Sequence, residues 1–305
     1  MLAVLLALAV NVAGASGTPP GAAPAGAVAA AGGAPLARLN EAQLDRRIAA
    51  AQALPIGDRI QELSRLFVGT AYVDFPLGEG GTGPEPQARF RLDGVDCQTY
   101  VETVLAMANA RSLSQAKVLL DDIRYASLPP SFATRNHFTE AQWLPKNIEK
   151  GYLRSAVESI DARAPVSELV LEKASWTQVP FLKRLASAAI PEGRFGVRYL
   201  PLAEARGRAG SIAPGSVILV VREADPKRVV RVSHMGIVVR SGAGLAVRHA
   251  SSVPAERRVV EEPFDRYLDR MGEFKKWKVI GFGLALPLDA TARAAAILGG
   301  SSVKG

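Results

Sequence analysis

The sequence predicts an α+β fold, because helical periodicity fills its first half and Val-rich alternating runs punctuated by Pro and Gly follow about Val166. The 305 residues, 48% of them hydrophobic, suffice to bury a full core without a disulfide staple.

The chain opens with an apolar run, Leu2 to Val12, followed by Ala13-Gly14-Ala15, a small-x-small pattern that predicts an export signal over residues 1–15. The run is too short to span a bilayer, so a soluble mature protein without stable membrane insertion is expected, exported and periplasmic. Such signals normally begin with Lys or Arg, whereas the first charged residue here is Arg38. No cysteine follows the run, so no diacylglyceryl-cysteine anchor is expected. Residues 16–36, mostly Ala, Gly and Pro with no charge, read as a linker. The folded domain is expected over 37–286, with 287–305 as a frayed tail.

Within that domain Asn40 is placed to cap a helix running to about Gln52, and Asp58 to cap another whose Ile60, Leu63 and Phe67 share a face before Gly69 stops it. Leu77 to Pro86 is a Gly/Pro loop. After Asp96, the residues Tyr100, Val101, Val104, Leu105 and Ala108 share one face, which makes a core helix with Cys97 in its first turn. From Ser114 to about Ile160 the chain reads mainly helical, including Thr139 to Lys150 around Trp143. Strands are expected at Phe195 to Tyr199, Ser216 to Val221, Val229 to Arg240, Leu245 to His249 and Trp277 to Phe282.

Cys97 is the only cysteine, so no intramolecular disulfide accounts for it, and it is either buried filler or chemistry. A thiol attacks an amide as thiolate, and the free N–H groups and positive dipole at a helix start favour that form. The base has to come from three histidines, His137, His234 and His249. RVVRVSHMGIVVR, then SGAG, then LAVRHASS reads as a β-hairpin. A turn symmetric about Gly242-Ala243 sets His249 opposite Gly236, with His234 and His249 as diagonal neighbours on one face. A one-residue slip would separate them. In the first register His249 fixes the tautomer of His234, and Gly236 keeps the space between them open.

The segments GTAY (69–72), LDGVDCQTYVE (92–102), RNHF with Trp143 and Asn147 beyond it, SHMGIVV (233–239) and RHAS (248–251) resemble the NlpC-type papain-like cysteine amidases. Within them they are most similar to the N-acetylmuramoyl-L-alanine amidase-like branch, once catalogued as domain of unknown function fourteen-sixty. The resemblance spans about Arg59 to Leu284. It implies a circularly permuted papain-like fold with the nucleophile helix packed on an antiparallel sheet, and the triad Cys97, His234 and His249. The implied substrate is peptidoglycan or its muropeptide fragments, cut at the amide between the lactyl group of muramic acid and L-alanine. Gln98-Thr99 favours this branch over the D-glutamyl-diamino acid endopeptidases. Ala71 and Ser216 depart from the family pattern.

Tyr72 is a candidate oxyanion donor or cleft wall, with a structural hydroxyl as the alternative. Arg135, Asn136 and His137 are candidates for holding the sugar or a stem carboxylate, His137 having a loop role as its alternative. Asp96 reads as the helix cap, Glu102 as a solvated acid and Trp143 as core. A zinc hydrolase using Cys and His ligands is a rival reading, but no H-E-x-x-H helix is present, and neither a metal nor a cofactor is expected. A wall-binding module without catalysis is a second rival. The net charge of +8 is scattered, which suits polyanionic wall or a plain basic surface, and aromatics at 6% argue against nucleic acid.

Overall fold

In the computed structural model, which describes residues 36–81, 84–172 and 191–301, the lead-in helices form where the sequence supplies a cap and an apolar face. The signal segment 1–15 and the linker up to residue 35 lie outside the described residues. Helix α1 (Glu41–Ala51) starts at Asn40, whose side chain accepts from the Gln43 amide at 2.9 Å while the Gln43 side chain accepts from the Asn40 amide. Helix α2 (Ile56–Arg65) starts earlier than Asp58, at Pro55, and Asp58 falls in its first turn. Ile60, Leu63 and Phe67 are buried, and Gly69 turns the chain at φ +90°. Leu36, expected as the last linker residue, belongs to the folded part: its side chain is buried and its amide bonds the Leu66 carbonyl.

Helix α3 (Cys97–Ala108) is the central element. Asp96 caps it, accepting from the Thr99 amide at 2.8 Å while its own amide donates to the Thr99 hydroxyl at 2.9 Å. Every residue from Thr99 to Ala108 is buried, packed against α2, α4 (Leu113–Arg124) and the sheet. Glu102 is therefore not the solvated acid expected: it is fully buried and paired with Arg124 at 2.7 Å, because its helix face is covered by α4. The mainly helical stretch expected to Ile160 also breaks. Tyr125 to Phe138 is irregular around Pro129 and Pro130, which lack amide donors, and Ser131 and Thr134 bond one another across the turn. A π-helical turn, Thr139–Trp143, then leads into α5 (Leu144–Glu149), with Trp143 in the core.

The main sheet has nine strands in the order β2 (Gly94–Val95), β1 (Ala71–Tyr72), β10 (Arg258–Pro263), β9 (Gly244–Ser251), β8 (Val232–Ser241), β7 (Val217–Arg222), β11 (Val279–Pro287), β3 (Leu153–Ser155), with β6 (Leu200–Pro201) also on β11. All pairings are antiparallel except β1 with β2. A separate hairpin pairs β4 (Val166–Leu171) with β5 (Gly193–Arg198). Alternation sends Val217, Leu219 and Val221 of β7 into the core under α3, and Ile218 and Val220 into a second core under α8 (Phe264–Gly272). The short helices α6 (Val157–Ile160) and α7 (Leu202–Ala205) lie with this second core. The α+β class thus holds, with helices on both faces of the sheet.

The expected frayed tail is instead helix α9 (Thr291–Ser301), docked by Arg293 on Asp122 at 2.6 and 2.7 Å and by the Ala290 amide on Asn109 at 2.8 Å. No helix among the described residues is long and apolar enough to cross a membrane. Breaking the buried pair with Arg124→Met strands Glu102 and should lower unfolding free energy by about 3–5 kcal/mol in urea titration. Arg124→Met/Glu102→Leu should recover most of that loss; a double variant no more stable than the single one would contradict the account.

Candidate active site

The β8–β9 hairpin closes at Ser241↔Gly244, with Gly242 at φ +56°, and stays in register to Ile237↔Arg248. This is the register in which His249 comes beside Gly236. Beyond Ile237 and Arg248 the two strands stop pairing, although β8 begins at Val232 and β9 continues to Ser251. Ser233 is an extra residue against β7, which pairs Val220 with His234 and Val221 with Val232. Such a bulge bends a strand and re-aims its side chains. The sheet therefore forks at His234.

Across the fork His234 Nε2 lies 3.0 Å from His249 Nδ1, the rings nearly perpendicular at 88°. His249 is buried and its ring meets Tyr267 of α8 edge-on at 5.4 Å, so the pair faces the second core. A Cβ on Gly236 would stand 2.9 Å from His249 Cβ and 3.0 Å from the Arg248 carbonyl oxygen, so only glycine lets the imidazole in.

Cys97 reaches the fork from the opposite side, as the first residue of α3, which packs on β8 and β9. Cys97 is partly buried, and the backbone amide of Met235, next to His234, comes near enough to its sulfur to favour the thiolate. No hydrogen bond joins the sulfur to the His234 ring among the described residues. The expected lowering of the thiol pKa is reversed. Burial, and then the adjacent Asp96 carboxylate, push Cys97 up to about 12, against the smaller help of the Met235, Gln98 and Cys97 amides. His234 is held well below the ordinary imidazole value by burial, then by the charges of His249, Arg270 and Arg222. Burial also lowers His249, opposed by its contact with Glu262. Burial thus biases the thiol toward its protonated form and both imidazoles toward their neutral form.

Tyr72 is set beside this thiol because β1 runs parallel to β2, Tyr72 paired with Val95, and β2 leads directly into Cys97. Its hydroxyl makes no hydrogen bond among the described residues, and it stays protonated, raised first by burial and then by the charges of Cys97, Asp96 and Asp74 against Arg257. Ala71, the departure before it, is exposed. Ser216, the other departure, is buried and caps its turn by donating to the Ala213 carbonyl at 2.7 Å.

Arg135, Asn136 and His137 are all buried and bonded within the protein. Arg135 bonds Glu79 at 2.9 Å and Glu85 at 2.6 Å, clamping the loop that follows Leu77. Asn136 donates to the Ile123 carbonyl at 3.4 Å, and the His137 ring contacts the Phe132 carbonyl at 2.6 Å. Burial first, then Arg135, lowers His137 to about 3. None of the three joins the hydrogen-bonded cluster of His234 and His249.

Two residues absent from the sequence expectations do join it. Arg270 Nη2 lies 3.2 Å, and Glu262 Oε2 3.5 Å, from His249 Nε2. Glu262 and Arg270 bond each other at 2.6 Å. Burial works to raise Glu262, but the bonds from His249 and Arg270 prevail and hold it at about 2. Glu262 arrives because β10 pairs Val260 with His249, which makes Glu262 a diagonal neighbour on the same face. Once RVVEEP is read as a strand beside β9, its alternation points to Glu262.

Gly236→Ala should displace His249 and lower turnover at least tenfold, while the reactivity of resting Cys97 toward iodoacetamide stays unchanged. Unaltered turnover would show that the close approach of glycine is not needed.

Among solved structures, the chain is similar to protein LPG0564 from Legionella pneumophila str. Philadelphia 1, of the DUF1460 family model, at 24% identity and a TM-score of 0.71 over 81% of this chain and 94% of that one. It is also similar to an N-acetylmuramoyl-L-alanine amidase from Bacteroides uniformis ATCC 8492, at 24% identity and a TM-score of 0.61 over 76% of this chain and 98% of that one. At these identities the likeness speaks for the fold. No curated protein sequence matches the chain. Residues 62–273 match the AmiA-like family model, and the chain belongs to this N-acetylmuramoyl-L-alanine amidase-like family.

Proposed function

We propose that the protein is a cysteine amidase acting on peptidoglycan or muropeptides, cleaving the amide between the muramic acid lactyl group and L-alanine through Cys97, His234 and His249. Family membership supports the amidase class. The observation that carries the residue assignment is the forked sheet, which brings a helix-start thiol against the Met235 amide and sets the next residue, His234, on His249. In this reading the fold is of the NlpC type, a circularly permuted papain-like arrangement with α3 as the nucleophile helix. Residues 1–15 direct export to the periplasm, and 16–35 link the signal to the catalytic domain.

Because the thiol rests neutral, the thiolate forms as attack begins. His234 Nε2 is engaged by His249, which leaves Nδ1 to take the Cys97 proton. The sulfur adds to the lactyl carbonyl, and the oxygen that becomes negative is received by the Tyr72 hydroxyl and the Cys97 and Gln98 amides at the start of α3. The His234 imidazolium gives its proton to the L-alanine nitrogen, the C–N bond breaks and the stem peptide leaves. Water, deprotonated by His234, hydrolyses the thioester and restores the thiol. Arg135 acts one step removed, by fixing the loop after Leu77, and Asn136 and His137 brace the Ile123 and Phe132 carbonyls, rather than touching substrate.

Incubation with defined muropeptides should release free stem peptide, detected by mass spectrometry. Cys97→Ala and His234→Ala should abolish release, and His249→Ala should reduce it less. Binding without release by the intact protein under reducing conditions would overturn the enzymatic reading. Alkylation of resting Cys97 by iodoacetamide should speed up about tenfold per pH unit from 7 to 10, since the thiolate fraction grows that way below a pKa of about 12. A plateau below pH 8 would reveal a standing thiolate. On the acid side, His234 remains a base below 6.5, so kcat/KM should hold through that value, and its acid limb should lie lower.

A further inference from the structure

The donors and acceptors around His249 Nε2 constrain the base at the far end of the imidazole pair. A single N–H fits between His234 Nε2 and His249 Nδ1, 3.0 Å apart, when both rings are neutral. If His234 carries it, His234 Nδ1 has the lone pair that a base needs. His249 Nδ1 then accepts, so the hydrogen of His249 sits on Nε2 and requires an acceptor there. Glu262 Oε2, at 3.5 Å, is an acceptor; Arg270 Nη2, at 3.2 Å, is only a donor. When Arg270 donates to His249 Nε2 instead, the His249 hydrogen moves to Nδ1 and points at His234 Nε2. His234 then carries its own hydrogen on Nδ1 and cannot take a proton from the thiol.

We infer that Glu262 is a positioning residue of the amidase site, which fixes His249, and through it His234, in the tautomer that leaves Nδ1 basic, while Arg270 competes for the same nitrogen. The inference rests on the Cys97–His234 reading above. Proton accounting is closed throughout: the Cys97 hydrogen moves to His234 Nδ1, the Nε2 hydrogen of His234 stays on His234 and is donated to His249 Nδ1, and the Nε2 hydrogen of His249 stays on His249 and is donated to Glu262. The imidazolium that forms is stabilised through His249 by the carboxylate. Arg270 keeps Glu262 ionised and in place, and Arg266, 3.8 Å from the same carboxylate, adds a second cation. In the resting arrangement Arg270 is the nearer partner, so the basic tautomer requires the His249 ring and the carboxylate to close by a few tenths of an ångström.

The test compares the two halves of one ion pair. Glu262→Met and Arg270→Met both break it, so a merely structural role predicts similar losses in both. The tautomer account predicts unequal ones. Glu262→Met leaves Arg270 as the sole partner of His249 Nε2 and should lower kcat at least tenfold with KM unchanged. Arg270→Met leaves Glu262 as the partner of His249 Nε2, with Arg266 as its remaining cation, and should cost at least fivefold less kcat than Glu262→Met. Long-range proton–nitrogen correlation spectra of the full chain without substrate give a readout independent of activity: in Glu262→Met the hydrogen of His234 should lie on Nδ1, in Arg270→Met on Nε2. Glu262→Gln, a milder change that turns an amide donor toward His249, should behave as Glu262→Met does if the latter unfolds. Equal losses in both variants, or a His234 tautomer indifferent to Glu262, would overturn the inference. Tautomers that respond as stated in a protein that releases no stem peptide would sink the amidase reading and leave the relay standing.

Discussion

One N–H shared by two neutral imidazoles 3.0 Å apart is the interaction on which the rest of the site depends. It exists only where β8 and β9 part, since a continuous ladder through Met235 would leave no amide for the Cys97 sulfur and no gap for His249. The fork in turn needs the Ser233 bulge against β7 and the bare Cα of Gly236 under His249. Below it, Tyr267 and the Glu262–Arg270 pair wall the far side of His249. A buried neutral imidazole pair has direction but no charge, and its donor order is decided by what lies at its far end.

The electrostatics differ from those of a preformed thiolate–imidazolium pair. Asp96 caps α3 and stands beside Cys97, so the residue that starts the nucleophile helix also opposes ionisation of the nucleophile. The benefit of the helix dipole, confined to the first turn and modest in size, is outweighed by a neighbouring carboxylate in dry surroundings. Burial is similarly managed elsewhere by pairing: Arg124 with Glu102, Arg135 with Glu79 and Glu85, Arg248 with Glu261. Arg222 is held differently, by the Ser233 hydroxyl, the Trp277 carbonyl and the rings of Phe274 and Trp277, and its charge helps to keep His234 unprotonated. In the proposed reaction, a base with a low proton affinity and a thiol with a high one need the substrate carbonyl to drive the transfer, which ties the thiolate to the moment of attack.

Local chemistry made the α1 and α3 caps, the apolar face of α2 and the register of the β8–β9 hairpin legible in the sequence, because each is decided within a few residues. The His234–His249 pairing was legible from a short supply of histidines and a turn whose symmetry fixes which residues face one another, and the lone cysteine together with the family resemblance put Cys97 forward as the proposed nucleophile. What escaped depends on distant partners. Glu102 reads as a surface acid until α4 brings Arg124 from 22 residues away. The Ala-rich end reads as tail until Asp122 and Asn109 dock it. Strand β10, half charged, shows no apolar alternation strong enough to announce itself, and with it went Glu262; Arg270 needed the helix beyond. Arg135, Asn136 and His137 looked like a polar binding cluster because nothing in a sequence shows which polar side chains are already spoken for by Glu79, Glu85 and the carbonyls of Ile123 and Phe132.

The most direct test of the central claim is to trap the acyl-enzyme. Rapid acid quench of the protein with an N-acetylmuramoyl peptide, followed by intact-mass and peptide-mapping spectrometry, should show the N-acetylmuramoyl group on the peptide containing Cys97, as a thioester labile to hydroxylamine. Stem peptide released at an undiminished rate by Cys97→Ala, with no adduct at any time, would contradict it.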